Sequence, residues 1–272
     1  MNPGVRNLHF DLDGVPRHWH GGKKSVTAFW DGLSIFFPAG ERFFVASVRA
    51  HQDSVRDPRL AEQVRMFCGQ EGVHSREHAR YNALLRRQGY PLEALEKRVE
   101  AVLGRVSKRT PPLAQLAVTC ALEHFTALMG HVLLRDSRLV EGAHPVMAAL
   151  WRWHAAEENE HKAVAFDVYV AAGGGYRRRV SVMLGATAIF WSRVLEHQVR
   201  MMRADGTLWS LAEWRALGRF LFVEPGGMQD LLRPYLQYFK PGFHPSDIDT
   251  TDVLESWTRE YENSPVYAPQ RV

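Results

Sequence analysis

The sequence predicts an all-α fold, a four-helix bundle followed by additional C-terminal helices. Three observations carry that prediction. Apolar residues recur at steps of three and four over long stretches, which keeps them on one face of a helix. Alternating patterns that would mark half-buried strands are scarce. The breaks between periodic stretches fall at turn formers: Asp57-Pro58, Gly89-Tyr90-Pro91, Thr110-Pro111-Pro112, Gly142 to Pro145 and Gly173-Gly174-Gly175. The chain has 272 residues, 46% hydrophobic and 24% charged, an ordinary globular composition. We read it as a single all-helical domain over 1–272.

Long helices are expected at about 25–55, 58–88, 111–134, 145–172, 180–203 and 207–222, with a shorter one at 92–107. After Glu224-Pro225-Gly226-Gly227 come a short helix, the Pro- and Asp-rich stretch PGFHPSDID, a final helix and a polar tail. The bundle proper then spans about 25–172, and a C-terminal helical layer spans about 180–265.

The inward faces of four of these helices are interrupted by polar residues. The second helix presents Leu60, Val64, Phe67, Glu71, His74, His78, Tyr81 and Leu85 on one face. The third presents Leu113, Leu116, Cys120, Glu123, Ala127, Gly130 and Leu134, and the fourth Met147, Trp151, His154, Glu158, His161, Ala165 and Val168. The first presents Phe37, Glu41, Phe44 and Val48. A lone Glu followed by Glu-x-x-His occurs twice: Glu41 before Glu71/His74 (71 − 41 = 30 residues) and Glu123 before Glu158/His161 (158 − 123 = 35 residues). The layout is that of two helical hairpins of one design facing each other.

A carboxylate buried without a partner costs several kcal/mol and tends to neutralise. Four in one core would also repel. Two divalent cations, carrying +4 against −4, remove both problems, and the i, i+3 spacing lets one helix supply a carboxylate and an imidazole to the same ion. A Glu from each of two helices with Glu-x-x-His from each of the other two is the pattern of di-iron and di-manganese carboxylate bundles. A mid-helix Glu is ordinarily a solvated residue and a single Glu-x-x-His is common; it is the repetition that points to metal. Glu157 and Glu158 both share a face with His154 and His161. Glu158 restores the i, i+3 spacing, leaving Glu157 and Glu160 as flanking residues. His78 reads as an outer partner or a core histidine, and His124 as structural.

At Glu41, Glu71-x-x-His74, Glu123 and Glu158-x-x-His161 the sequence resembles the ferritin-like di-iron superfamily. The stretches PAGERFF, QEGVHSREH, EENEHKAVAFDVY and FHPSDID resemble the bacterial family called predicted metal-dependent hydrolases. His154-x-x-x-Glu158-x-x-His161 is similar to the ligand run of the di-iron arylamine N-oxygenases, which implies that His154 is a seventh ligand. The expected metal set is therefore Glu41, Glu71, His74, Glu123, His154, Glu158 and His161.

Oxygen-rich ligation with imidazole and no thiolate suits two iron ions, with manganese or a mixed Fe/Mn pair as the alternative. The chemistry expected is O2 activation on a small organic substrate, with an external electron donor. Glu41 and Glu158 are read as terminal or shifting carboxylates, Glu71 and Glu123 as bridging or chelating ones. Ala127 and Gly130 are expected to leave room beside Glu123. The alternative is a two-metal hydrolase, although neither a nucleophile elbow nor a phosphate-cradling Gly-rich loop is present. The second alternative is a non-catalytic metal-binding or storage protein. GGGYRRR reads as a solvated turn, or as a contact for an anionic substrate.

The net charge of +4 is concentrated locally, as at Arg177, Arg178 and Arg179, without the basic stripe of a nucleic-acid binder. Cys68 and Cys120 lack metal or disulfide spacing, which fits a reducing compartment. The N-terminus lacks a secretory pattern. The longest apolar run, about 180–192, falls short of the ~20 residues of a membrane span. A cytoplasmic protein with no integral membrane segment is expected. The Trp- and Phe-rich C-terminal helices are expected to pack on the bundle, with a homodimer interface or a membrane-facing surface as alternatives.

Overall fold

The computed structural model describes residues 4–267. The helices are α1 (Lys24–Ser34), α2 (Phe37–Arg49), α3 (Pro58–Arg87), α4 (Leu92–Arg109), α5 (Pro112–Arg135), α6 (Pro145–His161), α7 (Val164–Ala171), α8 (Tyr176–Ala204), α9 (Leu211–Phe222), α10 (Gly227–Gln237) and α11 (Thr251–Asn263). No strand occurs among the described residues, and His20 and Ala143 form an isolated β bridge. The all-helical prediction holds.

Two predicted helices are each divided. The stretch read as 25–55 breaks between α1 and α2, because Pro38 stands at the start of α2. A proline there has no N–H to give, and its ring collides with the carbonyl four residues back. The stretch read as 145–172 pauses at Lys162 and Ala163, directly after His161, where the Lys162 ammonium reaches the Ile248 carbonyl and the Thr250 hydroxyl. α3 runs thirty residues without interruption, opened by Pro58 and capped by the Asp57 side chain, which accepts from the Arg59 N–H.

The bundle consists of two packed pairs, α2 with α3 and α5 with α6, joined by contacts of α2 with α5 and α3 with α6. The predicted inward faces are the ones buried: Phe37, Glu41, Phe44 and Val48 on α2, and Met147, Trp151, His154, Glu158 and His161 on α6. α1 and α5 pack against α8, α10 lies on α5, and α11 lies on α5 and α6. Residues 4–23 form an irregular strap that buries Leu8, Phe10, Leu12, Val15 and Trp19.

The C-terminal layer is less completely packed than its composition led us to expect. α8 buries Met183, Val194, Met201 and Met202 but exposes Leu184, Ile189 and Leu195, and Trp209, Phe222, Leu232 and Leu236 are also exposed. Among the described residues α5 is the one helix long and apolar enough to cross a membrane, yet 72% of its apolar window is buried inside the bundle.

Candidate metal centre

All seven residues of the predicted metal set are buried at the centre of the bundle, none more than 3% exposed. They form two groups whose ligand atoms lie within 4.8 Å of one another: Glu41, His74 and His154 in one, Glu71, Glu123 and His161 in the other. Glu158 stands between them. Its Oε1 is 2.9 Å from His154 Nε2 and 3.6 Å from His74 Nδ1, while its Oε2 is 3.7 Å from His161 Nε2. Glu71 also joins His74 and Glu158 in a third such group. Glu158, read from sequence as a terminal carboxylate, thus occupies a central position, and Glu123 lies toward the end held by His161, 3.4 Å from its Nε2.

Each imidazole is held from outside by its other nitrogen. His74 Nε2–H donates to Glu157 Oε2 at 2.9 Å, and Glu157 is itself held by Arg6 at 3.1 Å. His161 Nδ1–H donates to Gln70 Oε1 at 3.2 Å, and the Gln70 amide donates to Glu160. His154 Nδ1 lies 2.7 Å from His78 Nε2. The polarity of that bond follows from the rest of the chain. Ser34 Oγ donates its one proton to Asn82 Oδ1, so it must accept from His78 Nδ1–H at 2.9 Å. His78 Nε2 is then an acceptor, and His154 Nδ1–H is the donor. In their neutral, ligating form all three imidazoles therefore aim a lone pair inward: His74 Nδ1, His154 Nε2 and His161 Nε2. Outer hydrogen bonds that fix tautomer and ring orientation in this way are typical of metal-binding histidines.

The three acids and the histidine of the stretch EENEHK are each accounted for. Glu158 and His161 face the centre, Glu157 grips His74 from outside, and Glu160 pairs with Arg6 at 2.7 Å. His78, read as an outer partner or a core histidine, is the outer partner of His154. Arg6, Gln70, Ser34 and Asn82 escaped the sequence reading because no spacing rule links them to the ligand faces; only Gln70, beside Glu71 on α3, stood where it could have been noticed.

The residues fit cations and fit little else. Among the described residues nine buried atoms of the cluster have no hydrogen-bond partner: both oxygens of Glu41, Glu71 and Glu123, Glu158 Oε2, His74 Nδ1 and His161 Nε2. A buried polar atom left unpaired costs ~1–3 kcal/mol, so nine converging on one place would be a heavy burden on a fold stable by only ~5–15 kcal/mol. Burial and the neighbouring Glu71 carboxylate push Glu41 well above the usual range; burial and Glu123 do the same to Glu71. Burial and Glu158 raise Glu123 to about 7. Burial acts upward on Glu158 too, but the His154 and His161 rings beside it prevail and hold it well below the usual carboxylate range. Burial lowers His74 and His78 far enough to keep both neutral.

Two expected features differ. Gly130 leaves no room beside Glu123: a Cβ there would meet the Ala155 carbonyl oxygen and the Asn159 side chain, each at 2.9 Å, so this glycine permits close approach of α5 and α6. GGGYRRR divides, with Arg177 and Arg178 exposed and Arg179 buried over the Tyr238 ring. An apolar cavity of about 260 Å3 lies on the other side of α5, between α4 and α8 and floored by α2.

A buried carboxylate–imidazole cluster inside a helical bundle defines a metal-binding protein class. The chain belongs to the family described as predicted metal-dependent hydrolase, whose model matches residues 4–249. That membership agrees with the second resemblance drawn from sequence, and its description favours hydrolysis over the oxygenase expectation. No curated protein and no solved structure matches the chain.

Proposed function

We propose that the chain is a dinuclear metal enzyme in which Glu41, His74 and His154 hold one cation, Glu71, Glu123 and His161 hold the other, and Glu158 lies between them. The convergence of nine buried, unpartnered ligand atoms supports this reading. Iron is the metal proposed, with manganese or a mixed pair as the substitute, since oxygen and imidazole donors without thiolate suit both. The ferritin-like assignment of the bundle, and a single domain in which the C-terminal layer covers it, belong to the same proposal.

Such cations, when bound, supply either an activated water for hydrolysis or reactivity toward O2. Hydrolysis is the reading the family description supports. Reaction with O2, drawing on an external electron donor, is the second reading; the favouring observation is that the adjoining cavity is walled by Phe37, Phe44, Leu122 and other apolar side chains, which suit an apolar substrate better than a phosphate. In either case the chain's own part is the same. Glu157, His78 and Gln70 hold the outer nitrogens as donors, so that the neutral rings turn their lone pairs inward, and the apolar wall keeps bulk water from the carboxylates.

The test is anaerobic loading of metal-free protein with Fe(II), metal counting, and then two assays on the same sample: O2 consumption with an optical spectrum, and cleavage of a panel of apolar esters. Two irons per chain are expected, falling in Glu158→Ala. Ester cleavage without O2 uptake selects hydrolysis, and O2 uptake with a visible band selects the second reading. Two irons with neither response indicate a binding or storage role, and fewer than one metal per chain overturns the dinuclear centre.

A further inference from the structure

We propose that the cavity between α4 and α8 binds a medium-chain anionic amphiphile, such as a fatty acid, with its chain toward the metal centre and its acid group at Arg193. This rests on the second reading above, reaction with O2 drawing on an external electron donor, and names the substrate class for it, since an alkyl chain offers the centre no bond to hydrolyse.

Position is the first argument. Phe37 lines the cavity, and its ring centroid is 4.4 Å from those of His154 and His78. Gly40, which precedes Glu41, also lines it, as do Leu122 and Thr126 on either side of Glu123. The wall between cavity and carboxylate cluster is one side chain thick.

Composition is the second. Thr126 spends its hydroxyl on the Glu123 carbonyl of its own helix, which leaves Arg193 as the single lining side chain with unused polar capacity. Its Nε is buried and has no partner among the described residues. Arg193, Arg98 and Arg200 all pair with one carboxylate, Glu196. Three guanidinium groups against one carboxylate leave an excess of positive charge at that end, placed to receive an anion.

The third argument comes from two glycines. Gly40 and Gly185 lie within α2 and α8 and both line the cavity. A glycine inside a helix costs ~1 kcal/mol relative to alanine, and neither has a positive φ. A Cβ at Gly185 would meet no described atom within 4 Å, and one at Gly40 would touch only the Phe44 ring, at 3.8 Å. Neither backbone nor packing requires a glycine there; what both preserve is the open space. At about 260 Å3 that space takes on the order of ten water-sized groups of ~30 Å3 each, which is a medium chain rather than a whole phospholipid.

The experiment is equilibrium binding of decanoate to the full chain, metal-loaded and metal-free, by displacement of a fluorescent fatty acid, with decanol and butyrate as comparators. Decanoate should bind at least about tenfold more tightly than either, since losing the chain removes the apolar burial and losing the charge removes the hydrogen bond to Arg193. Gly185→Leu should weaken decanoate and decanol alike, with metal content unchanged and Tm not lowered. Arg193→Gln should weaken decanoate about tenfold and leave decanol untouched. Butyrate binding as well as decanoate, or Gly185→Leu binding normally, overturns the cavity assignment; decanol matching decanoate overturns the role of Arg193. Decanoate binding by a chain that takes up no metal would sink the dinuclear centre and leave this site standing, whereas two metals without decanoate binding would do the reverse.

Discussion

Replacing His78 by Phe should damage one metal position and spare the other. Phenylalanine keeps the ring volume that packs against Phe37, Trp151 and Tyr81, so the substitution removes hydrogen bonds more than packing. His154 Nδ1–H loses its acceptor at 2.7 Å, and the ring is free to turn its Nε2 away from Glu41 and Glu158. Leaving that buried donor unpaired costs ~1–3 kcal/mol. Losing an outer hydrogen bond of this kind commonly costs ~10–100-fold in metal affinity, or ~1.4–2.8 kcal/mol, and the two ranges agree. The loss falls on the group of Glu41, His74 and His154; the group of Glu71, Glu123 and His161 is secured through Gln70 and should keep its affinity. Competition titration with Mn(II) and a chelating dye should therefore resolve one weakened and one unchanged dissociation constant, and Gln70→Ala should weaken the opposite one. Equal weakening of both by His78→Phe, or of neither, would refute the separate outer support of the two positions.

Metal uptake should also depend on pH in a fixed direction. Burial raises Glu41 and Glu71 well above the usual range and Glu123 to about 7, so protons compete with cations on the acid side; affinity should rise at least about tenfold from pH 6 to pH 8 in the same titration. Asp31, which accepts from Trp19 Nε1 at 2.9 Å and from the Tyr81 hydroxyl, is raised by burial from 3.8 to about 7. Its protonated form is the one the fold favours, so its stabilising contribution is full below about 3.8 and is lost as pH rises to about 7. The full span is on the order of 4 kcal/mol, and in thermal melts of metal-loaded protein Asp31→Asn should gain on the parent chain steadily from about pH 5 to about pH 7. Gly130→Ala, driven into Ala155 and Asn159, should lower stability by ~1–3 kcal/mol, whereas Gly185→Ala should raise it by up to ~1 kcal/mol; denaturant midpoints with unchanged slopes would check both.

The helical faces were legible because helical periodicity depends only on local spacing. Every residue read as inward on α2 and α6 is buried, and the choice of Glu158 over Glu157 followed from the i, i+3 interval alone. One position earlier is a rotation of about 100°, and that rotation carries Glu157 to the outer nitrogen of His74. What spacing within a helix does not encode is contact across the sequence. Arg6 meets Glu157 and Ser34 meets His78 through tertiary packing, and no pattern in either segment announces it. Gly130 misled for a related reason. A glycine beside a ligand residue reads the same whether it admits a substrate or another helix, and only the position of Ala155 decides between them. The C-terminal helices carry apolar residues on more than one side, and the sequence did not say which side the bundle would cover.

The strap that carries Arg6 has a consequence for how the protein is made. Arg6 leaves the ribosome about 150 residues ahead of Glu157, an interval on the order of 10–30 s at ~5–20 residues per second. Throughout that time Leu8 and Phe10 have no α6 to cover, and Glu77 on α3, whose carboxylate accepts the Phe10 N–H at 3.0 Å, is the earlier anchor. The clasp on Glu157 and Glu160 can close only when α6 is complete, so the outermost support of His74 is added after the helices that bear the carboxylates. A segment translated well before α6 is thus among the last to find its place, and the outer support of His74 stays incomplete until it does.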